Sequence, residues 1–409
     1  MKRILILDTE TSNLPDNINL SEEELSNIGV KDNNDVPLAY QLSYLFDNGQ
    51  KRFFADCIGK PILPISIASS EITHVTNKDI EELTLKEDGS YLKLTENKEF
   101  KDLVNLVETV NNEEIYLVGH NVKYDIEIMR REGLDLSKCK AIDTLQLARF
   151  LDKESESHRL TYLLYAKEDV LNATRELVQL DQIKNVAKIQ PMSAHNSLFD
   201  VVSTNYLLTH YRDRLLEMNK DLTLDTIYEE LHKISTTPFL IEEVPFGGSK
   251  GKLIKELNEN EILWIYKMDI DEMNFRYSLE ERMNDFGGLD AIIKKMSNFD
   301  IEKLLSSNPE FFKLEELKVK LNKELDSRSG GIVTLGFGKY KDVNIQEIKH
   351  DYLIWLRDNN SGNPNTLKKV ETELKRRSEG ELSKSIEDEK PKIDAIENSQ
   401  TLLEDFLND

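Results

Sequence analysis

The sequence predicts an α/β domain, a mixed sheet covered by helices, followed by a second region made of small repeated units. Three observations predict it. Apolar runs of strand length come first and then alternate with helical patterns; the segment Phe246–Trp264 recurs 91 residues further on; and residues 378–409 lose most of their apolar content. At 409 residues the chain is also too long for one ordinary core, because domains run to about 150 residues.

The elements follow in chain order. Residues 3–8 read as a buried strand, and 39–46 ("AYQLSYLF") and 52–55 as two more, antiparallel neighbours. A helical pattern near 98–110 precedes a short apolar strand, "EIYLVG" at 114–119. Then come a helix near 122–132, a strand before Asp143, and helices to about 215. Residues 1–218 form the first domain on this reading.

The second region starts near Thr236-Thr237-Pro238. "FGGSKGKLIKELNENEILW" (Phe246–Trp264) aligns without a gap on "FGKYKDVNIQEIKHDYLIW" (Phe337–Trp355), and both Trp residues of the chain fall in this repeat. The expected division is a first module at 236–285, a helical connector at 286–328, a second module at 329–377 and an acidic, disordered tail at 378–409. The tail holds 3 basic residues against 10 acidic ones, too little apolar content to offset the entropy of ordering.

Composition removes several classes of function. The opening "MKRILILD" imitates a signal peptide, but its apolar run stops at Asp8. No apolar run approaches the roughly 20 residues that span a bilayer, so no membrane association is expected. Cys57 and Cys139 lie far apart, which leaves neither a disulfide framework nor a zinc site and fits an intracellular, cytoplasmic location. The net charge of −23 argues against a general electrostatic grip on nucleic acid, since phosphate affinity comes from Lys and Arg displacing counterions.

Carboxylates then mark the chemistry. In "ILILDTET" an apolar strand ends in Asp8 and Glu10, and side chains at i and i+2 share one face of a strand. Two like charges held together call for a metal cation, although a strand end meeting solvent would read the same way. In "LVGHNVKYDIEIMRREG", His120-Asn121 stands as a turn and helix cap, and Asp125 shares a helix face with Met129 at i and i+4. In "PMSAHNSLFDVVSTNYLL", five residues separate His195 from Asp200, about 140° on a regular helix. His195 therefore belongs on a loop or first turn, with Asp200 on the helix face of Thr204 and Leu207.

Asp8-x-Glu10, His120-Asn121-x-x-Tyr124-Asp125 and His195-x-x-x-x-Asp200, in this order, resemble the DEDDh 3′→5′ exonucleases. That superfamily includes the proofreading epsilon subunit of DNA polymerase III, ribonuclease T and exodeoxyribonuclease X. "SSEITHVTNKDI" and "AIDTLQLAR" agree with it, while "DTETSNL" carries Asn13 where the family has Gly; Asn tolerates the positive φ that such a Gly would supply.

The resemblance implies a ribonuclease H-like exonuclease fold with a central mixed five-stranded sheet. It implies two Mg²⁺ ions, for which Mn²⁺ can substitute: Asp8 bridging both, Glu10 and Asp200 completing one site, Asp125 holding the second. His195 would be the general base, a role suited to its pKa near neutrality. Thr11, Leu14, His120 and Asn121 would hold the 3′-terminal nucleotide, Leu14 as an apolar wedge. The implied activity is Mg²⁺-dependent 3′→5′ exodeoxyribonuclease action on DNA 3′ ends, single-stranded by preference, in replication, repair or phage DNA metabolism, including action of a phage protein in its host's cytoplasm. An RNA-directed enzyme of the ribonuclease T type and a replisome adaptor with little nuclease activity are the alternatives.

"FGKYK" with "DYLIWL" resembles the small C-terminal module of exodeoxyribonuclease X-like proteins, here in two copies. Its lysines, Lys250 and Lys252 in the first copy and Lys339 and Lys341 with Tyr340 in the second, are the candidate nucleic-acid contacts. The Phe and Trp residues are assigned to a small core. In the tail, "QTLLEDFL" resembles a sliding-clamp-binding peptide, with Gln400, Leu403, Phe406 and Leu407 as its contacts.

Overall fold

A computed structural model describes residues 2–109, 115–268, 270, 272–307, 312–329, 335, 339–341, 343–359 and 364–378. They fall into two compact units, Met1–Pro238 and Phe239–Asp409.

The first unit is built on five strands: β1 (Arg3–Thr11), β2 (Ala39–Asp47), β3 (Arg52–Ile58), β4 (Ile115–Gly119) and β5 (Lys140–Asp143). Their order is β3-β2-β1-β4-β5. β2 runs antiparallel to β1 and β3, whereas β4 runs parallel to β1 and β5. This is the expected mixed sheet, with β3 three residues longer than the sequence suggested.

Strand alternation sorts the apolar residues of β1 into two cores. Leu5 and Leu7 pack with the helices Lys98–Thr109 and Val122–Arg131, through Leu103, Ile128 and Met129. Ile4 and Ile6 face the other way, towards the helices Thr144–Leu151, Ser197–Met218 and Ile227–Thr236. The last of these extends the unit beyond residue 218, because it buries Ile227 and Leu231 in the second core and its Ser235 hydroxyl accepts a hydrogen bond from the Asp143 N–H.

One feature of register positions the site. β1 pairs with β4 only over Arg3–Ile6, while β2 holds β1 as far as Thr11. The last residues of β1 therefore run past the end of their parallel neighbour, into the crevice at strand C-termini where α/β sheets place their ligands.

In the second unit the repeat recurs as structure. The 3-10 turns Ile254–Glu256 and Ile345–Glu347 coincide at the 91-residue offset, and the helices Glu259–Tyr266 and His350–Asn359 start at equivalent positions. The buried residues correspond too: Ile254 with Ile345, Leu257 with Ile348, Ile262 with Leu353, Ile265 with Leu356. The helices at 286–328, assigned to a separate connector, share the first copy's core through Ile292, Ile301 and Leu317.

The aromatic residues do not line these cores as expected. Trp264 is 47 % exposed, Trp355 45 % and Phe246 44 %. Helical geometry explains the Trp positions: Ile262 and Ile265 are three apart and turn inward, which swings position 264 to the outer face. Phe337 and the peptide from Gln400 to Leu407 lie outside the described residues. Among the described residues, no helix is long and apolar enough to cross a membrane.

Candidate active site

The alternation that buries Ile4 and Ile6 carries Asp8 and Glu10 onto the same face of β1, past the end of β4. The helix Ser197–Met218 packs on that face and brings Asp200 in its first turn. Asp8, Glu10 and Asp200 each offer a carboxylate oxygen within 4.8 Å of the others. Asn196 caps this helix by accepting from the Phe199 N–H. Before it, His195 sits on the loop in the left-handed region, φ 62°. Its backbone N–H donates to Asp200 Oδ2 at 3.2 Å, so the loop and the carboxylate hold one another. The expected arrangement of His195 on a loop and Asp200 on a helix face with buried Thr204 and Leu207 is what the structure has.

Asp125 reaches the same region from the opposite face of the sheet, on the helix Val122–Arg131, and it falls outside the three-carboxylate group. It is buried, as is Met129 one turn on. Thr9, between the two acids of β1, points to that opposite face and donates its hydroxyl to Asp125 Oδ1 at 2.8 Å. The sequence "DTET" thus alternates carboxylates towards one helix with hydroxyls towards the other.

Among the described residues no Lys or Arg pairs with Asp8, Glu10, Asp125 or Asp200. Burial first, then repulsion from Asp125, Asp200 and Glu10, holds the Asp8 carboxyl well above the usual carboxylate range. Glu10 is raised by burial and by Asp200 and Asp125. Burial pushes Asp125 up to about 7 against the hydrogen bond from Thr9, and Asp200 to about 7 with repulsion from Asp125 added. A set of oxygen donors with surplus negative charge and no internal counter-ion suits a hard divalent cation.

The other expected contacts divide. Leu14 stands 58 % exposed, free to act as a wedge. Thr11 is buried, its hydroxyl 2.7 Å from the Tyr124 hydroxyl. Asn121 is exposed at the start of its helix, with φ 71°. His120 is a correction: its Nδ1 lies 3.0 Å from Thr144 Oγ1 and its Nε2 2.9 Å from the His158 carbonyl. Both ring nitrogens are engaged inside the fold, and burial lowers the ring pKa to about 4. Asn13 does not take a positive φ: among the described residues the non-glycine residues that do are His74, Asn121 and His195. Its side-chain amide donates instead to the Pro64 carbonyl at 3.2 Å.

One residue beside the site was missed. Asp56 on β3 is fully buried. Its Oδ1 accepts from Gln41 Nε2 at 2.9 Å and Ser43 Oγ at 2.8 Å, and its Oδ2 from the Lys188 N–H at 2.6 Å. Gln41 Oε1 accepts from the Ser197 N–H, Ser197 Oγ accepts from the Ser43 N–H, and the same hydroxyl donates to the Asp8 carbonyl. A single network thus runs from the segment before His195, through Asp56, to the backbone of Asp8. The available signal was an acid inside the apolar run "FFADCI".

Part of this unit resembles known proteins. Residues 83–193 match the family described as 3′-5′ exonuclease. That segment contains Asp125 but not Asp8, Glu10, His195 or Asp200, whose convergence is a matter of structure. No curated protein matches the chain. Among solved structures, one titled "Exonuclease X in complex with 5′ overhanging duplex DNA" is similar at 16 % identity, over 56 % of this chain and 99 % of that one, with a TM-score of 0.33. Residues 83–193 of the first unit thus carry a segment of the 3′-5′ exonuclease family, whose reaction is phosphodiester hydrolysis.

Proposed function

We propose that the protein is a Mg²⁺-dependent 3′→5′ exodeoxyribonuclease that releases nucleoside 5′-monophosphates from DNA 3′ ends. The observation that carries this reading is the convergence of Asp8, Glu10 and Asp200 within 4.8 Å. Asp8, Glu10 and Asp200 would hold one of two Mg²⁺ ions, and Asp8 with Asp125 the other; Mn²⁺ has the chemistry to replace either. Bound there, the ions supply charge to offset the phosphodiester oxygens and acidify the attacking water.

The chain's own groups do the rest. His195 accepts the water's proton; burial and the neighbouring His74 lower its pKa, which keeps the imidazole neutral and basic at neutral pH. Asp200, tied to the His195 backbone, fixes the distance between base and carboxylates. Leu14 packs on the terminal base, and Thr11 and Asn121 line the path to it. Lys250, Lys339, Tyr340 and Lys341 of the second unit would retain the strand. Lys252 contributes less, because its Nζ is engaged by Glu261 at 2.6 Å. The tail peptide Gln400–Leu407 would dock on a sliding clamp, a reading that rests on its sequence. Removing residues 399–409 should abolish clamp pull-down and leave hydrolysis of short oligonucleotides unchanged; equal capture of both forms would end it.

The test uses single-stranded DNA and RNA of one sequence, each labelled at the 3′-terminal nucleotide, with and without Mg²⁺. Release of labelled mononucleotide from DNA, at least tenfold faster than from RNA, is expected. Faster release from RNA would reassign the substrate to the ribonuclease T type, and no release from either would leave an adaptor.

A further inference from the structure

Trp264 and Trp355 stand close to half exposed, and the second copy sets its Trp in a row with Tyr352 and Tyr340, which are partly buried against that copy's core. Tyr340 meets Tyr352 edge to face, with ring centroids 4.7 Å apart and planes at 64°. Tyr352 stacks on Trp355 at 5.6 Å and 27°. Lys339 Nζ closes the row at one end, 5.8 Å from the Tyr340 centroid. A Trp side chain is among the largest apolar surfaces a core can bury, yet both copies hold theirs close to half exposed.

The surroundings of the two Trp residues differ in sign. Residues 329–377 carry 9 basic side chains against 6 acidic, a surplus of positive charge within a chain of net −23. Residues 236–285 carry 6 basic against 11 acidic. Trp264 also has the Lys267 ammonium 3.2 Å from its ring centroid, so one of its faces is already occupied.

We propose that Trp355, Tyr352 and Tyr340 form a stacking platform for bases of single-stranded nucleic acid, with Lys339 and Lys341 taking the phosphates. Single strands are held by this combination, an aromatic face for the bases beside a cationic track for the backbone. The row has a direction. The exposed lysines stand at the Tyr340 end, whereas Asp351 and Asp358 lie one turn either side of Trp355, and the nearby Arg357 is engaged by Asp358. Phosphates are therefore drawn to the lysine end while a base covers the Trp. This inference rests on the nucleic-acid reading of the repeat given above, and it adds the stacking residues, the single-stranded preference and the division of labour between the copies.

Because the chain has two Trp residues, fluorescence reads each copy separately. In full-length protein carrying Asp8→Asn, with EDTA present so that nothing is cut, Trp264→Phe leaves Trp355 as the sole reporter and Trp355→Phe leaves Trp264. Titration with a twelve-residue oligodeoxythymidylate should quench Trp355 emission saturably. Affinity should fall with salt at a log-log slope of about −1.4 for two lysines, and Lys339→Ala with Lys341→Ala should flatten that slope. Trp264 emission should not change. Equal quenching of both reporters, quenching by duplex as strong as by single strand, or no quenching of Trp355 would each overturn the platform. None of these outcomes depends on phosphodiester cleavage, so failure here and failure of the exonuclease reading are told apart by the nucleotide-release assay.

Discussion

Both units of this protein bury carboxylates, and they treat them in opposite ways. Glu373 in the second unit is 4 % exposed. Burial alone would raise its pKa, but Arg376 and Arg377, each at 2.8 Å, hold it below the ordinary value. Arg377 goes on to donate to the carbonyls of Ile345, Gln346 and Ile348, so the acid anchors a clamp that fastens the helix Pro364–Ser378 to the turn beneath it. Among the described residues Asp8, Glu10, Asp125 and Asp200 in the first unit have no such partner, and all four are raised. A buried acid with its counter-ion built in is architecture. Four whose charge is left uncompensated among the described residues, at a cost to the apo fold, are what the proposed cation site requires.

The largest effect that would break this contrast is on activity. Asp8→Asn or Asp200→Asn should lower hydrolysis at least ~10³-fold, about 4 kcal/mol of transition-state stabilisation. It should also raise the melting temperature of the metal-free protein, since a repelling charge has gone. Calorimetry and nucleotide release on the same preparations check both. An apo protein destabilised by Asp8→Asn would mean that the carboxylate is satisfied in ways the contrast denies. Glu373→Ala should do the reverse, costing about 3 kcal/mol by stranding its arginines while leaving the hydrolytic rate intact. A loss of rate with no loss of stability would reverse the assignment.

Proton linkage gives a smaller effect whose sign is fixed. Unfolded carboxylates lose their protons near pH 4, whereas Asp125 and Asp200 in the fold keep theirs to about 7. Between those values the native state binds more protons than the unfolded one, so apo stability falls as pH rises. Differential scanning fluorimetry in EDTA should show a decline of several degrees from pH 5 to 7.5, largely reversed by Mg²⁺ at the upper end. A flat profile would show that the four groups titrate as ordinary surface acids.

The smallest expected effect concerns Asp56. Both its oxygens accept hydrogen bonds, so Asp56→Asn must turn an NH₂ group against a donor, either the Lys188 N–H or the Gln41 and Ser43 pair. The expected result is about a tenfold fall in kcat with little change in the Mg²⁺ concentration for half-maximal rate, because the carboxylates remain while their alignment with His195 loosens. An unchanged kcat in a protein that merely melts lower would make Asp56 structural only.

What could be read from the sequence was set by local periodicity. The strand alternation from Ile4 to Glu10 and the placement of His195 off the helix that carries Asp200 both follow from spacing, and both are found. Contacts across the fold were hidden. Asp56 is remote in sequence from Lys188 and Ser197, and only the antiparallel register of β2 and β3 brings Gln41 and Ser43 beneath it. His120 stood beside the right strand, but its engagement by Thr144 and His158 depends on segments folding back from far along the chain. For Trp264 and Trp355, a general preference for buried aromatics outweighed the helical phase, which already pointed them outward.

Whether Asp8, Glu10 and Asp200 act as one cation-dependent hydrolytic centre is decided by the shortening of a 5′-labelled single-stranded oligodeoxynucleotide by full-length protein as Mg²⁺ is titrated, for wild type, Asp8→Asn and Asp200→Asn side by side. Wild type should give a ladder that recedes from the 3′ end only when Mg²⁺ is present, and neither variant should give one at any Mg²⁺ concentration. A ladder of wild-type rate from either folded variant, or one that persists in EDTA, would mean that these carboxylates are not the hydrolytic centre.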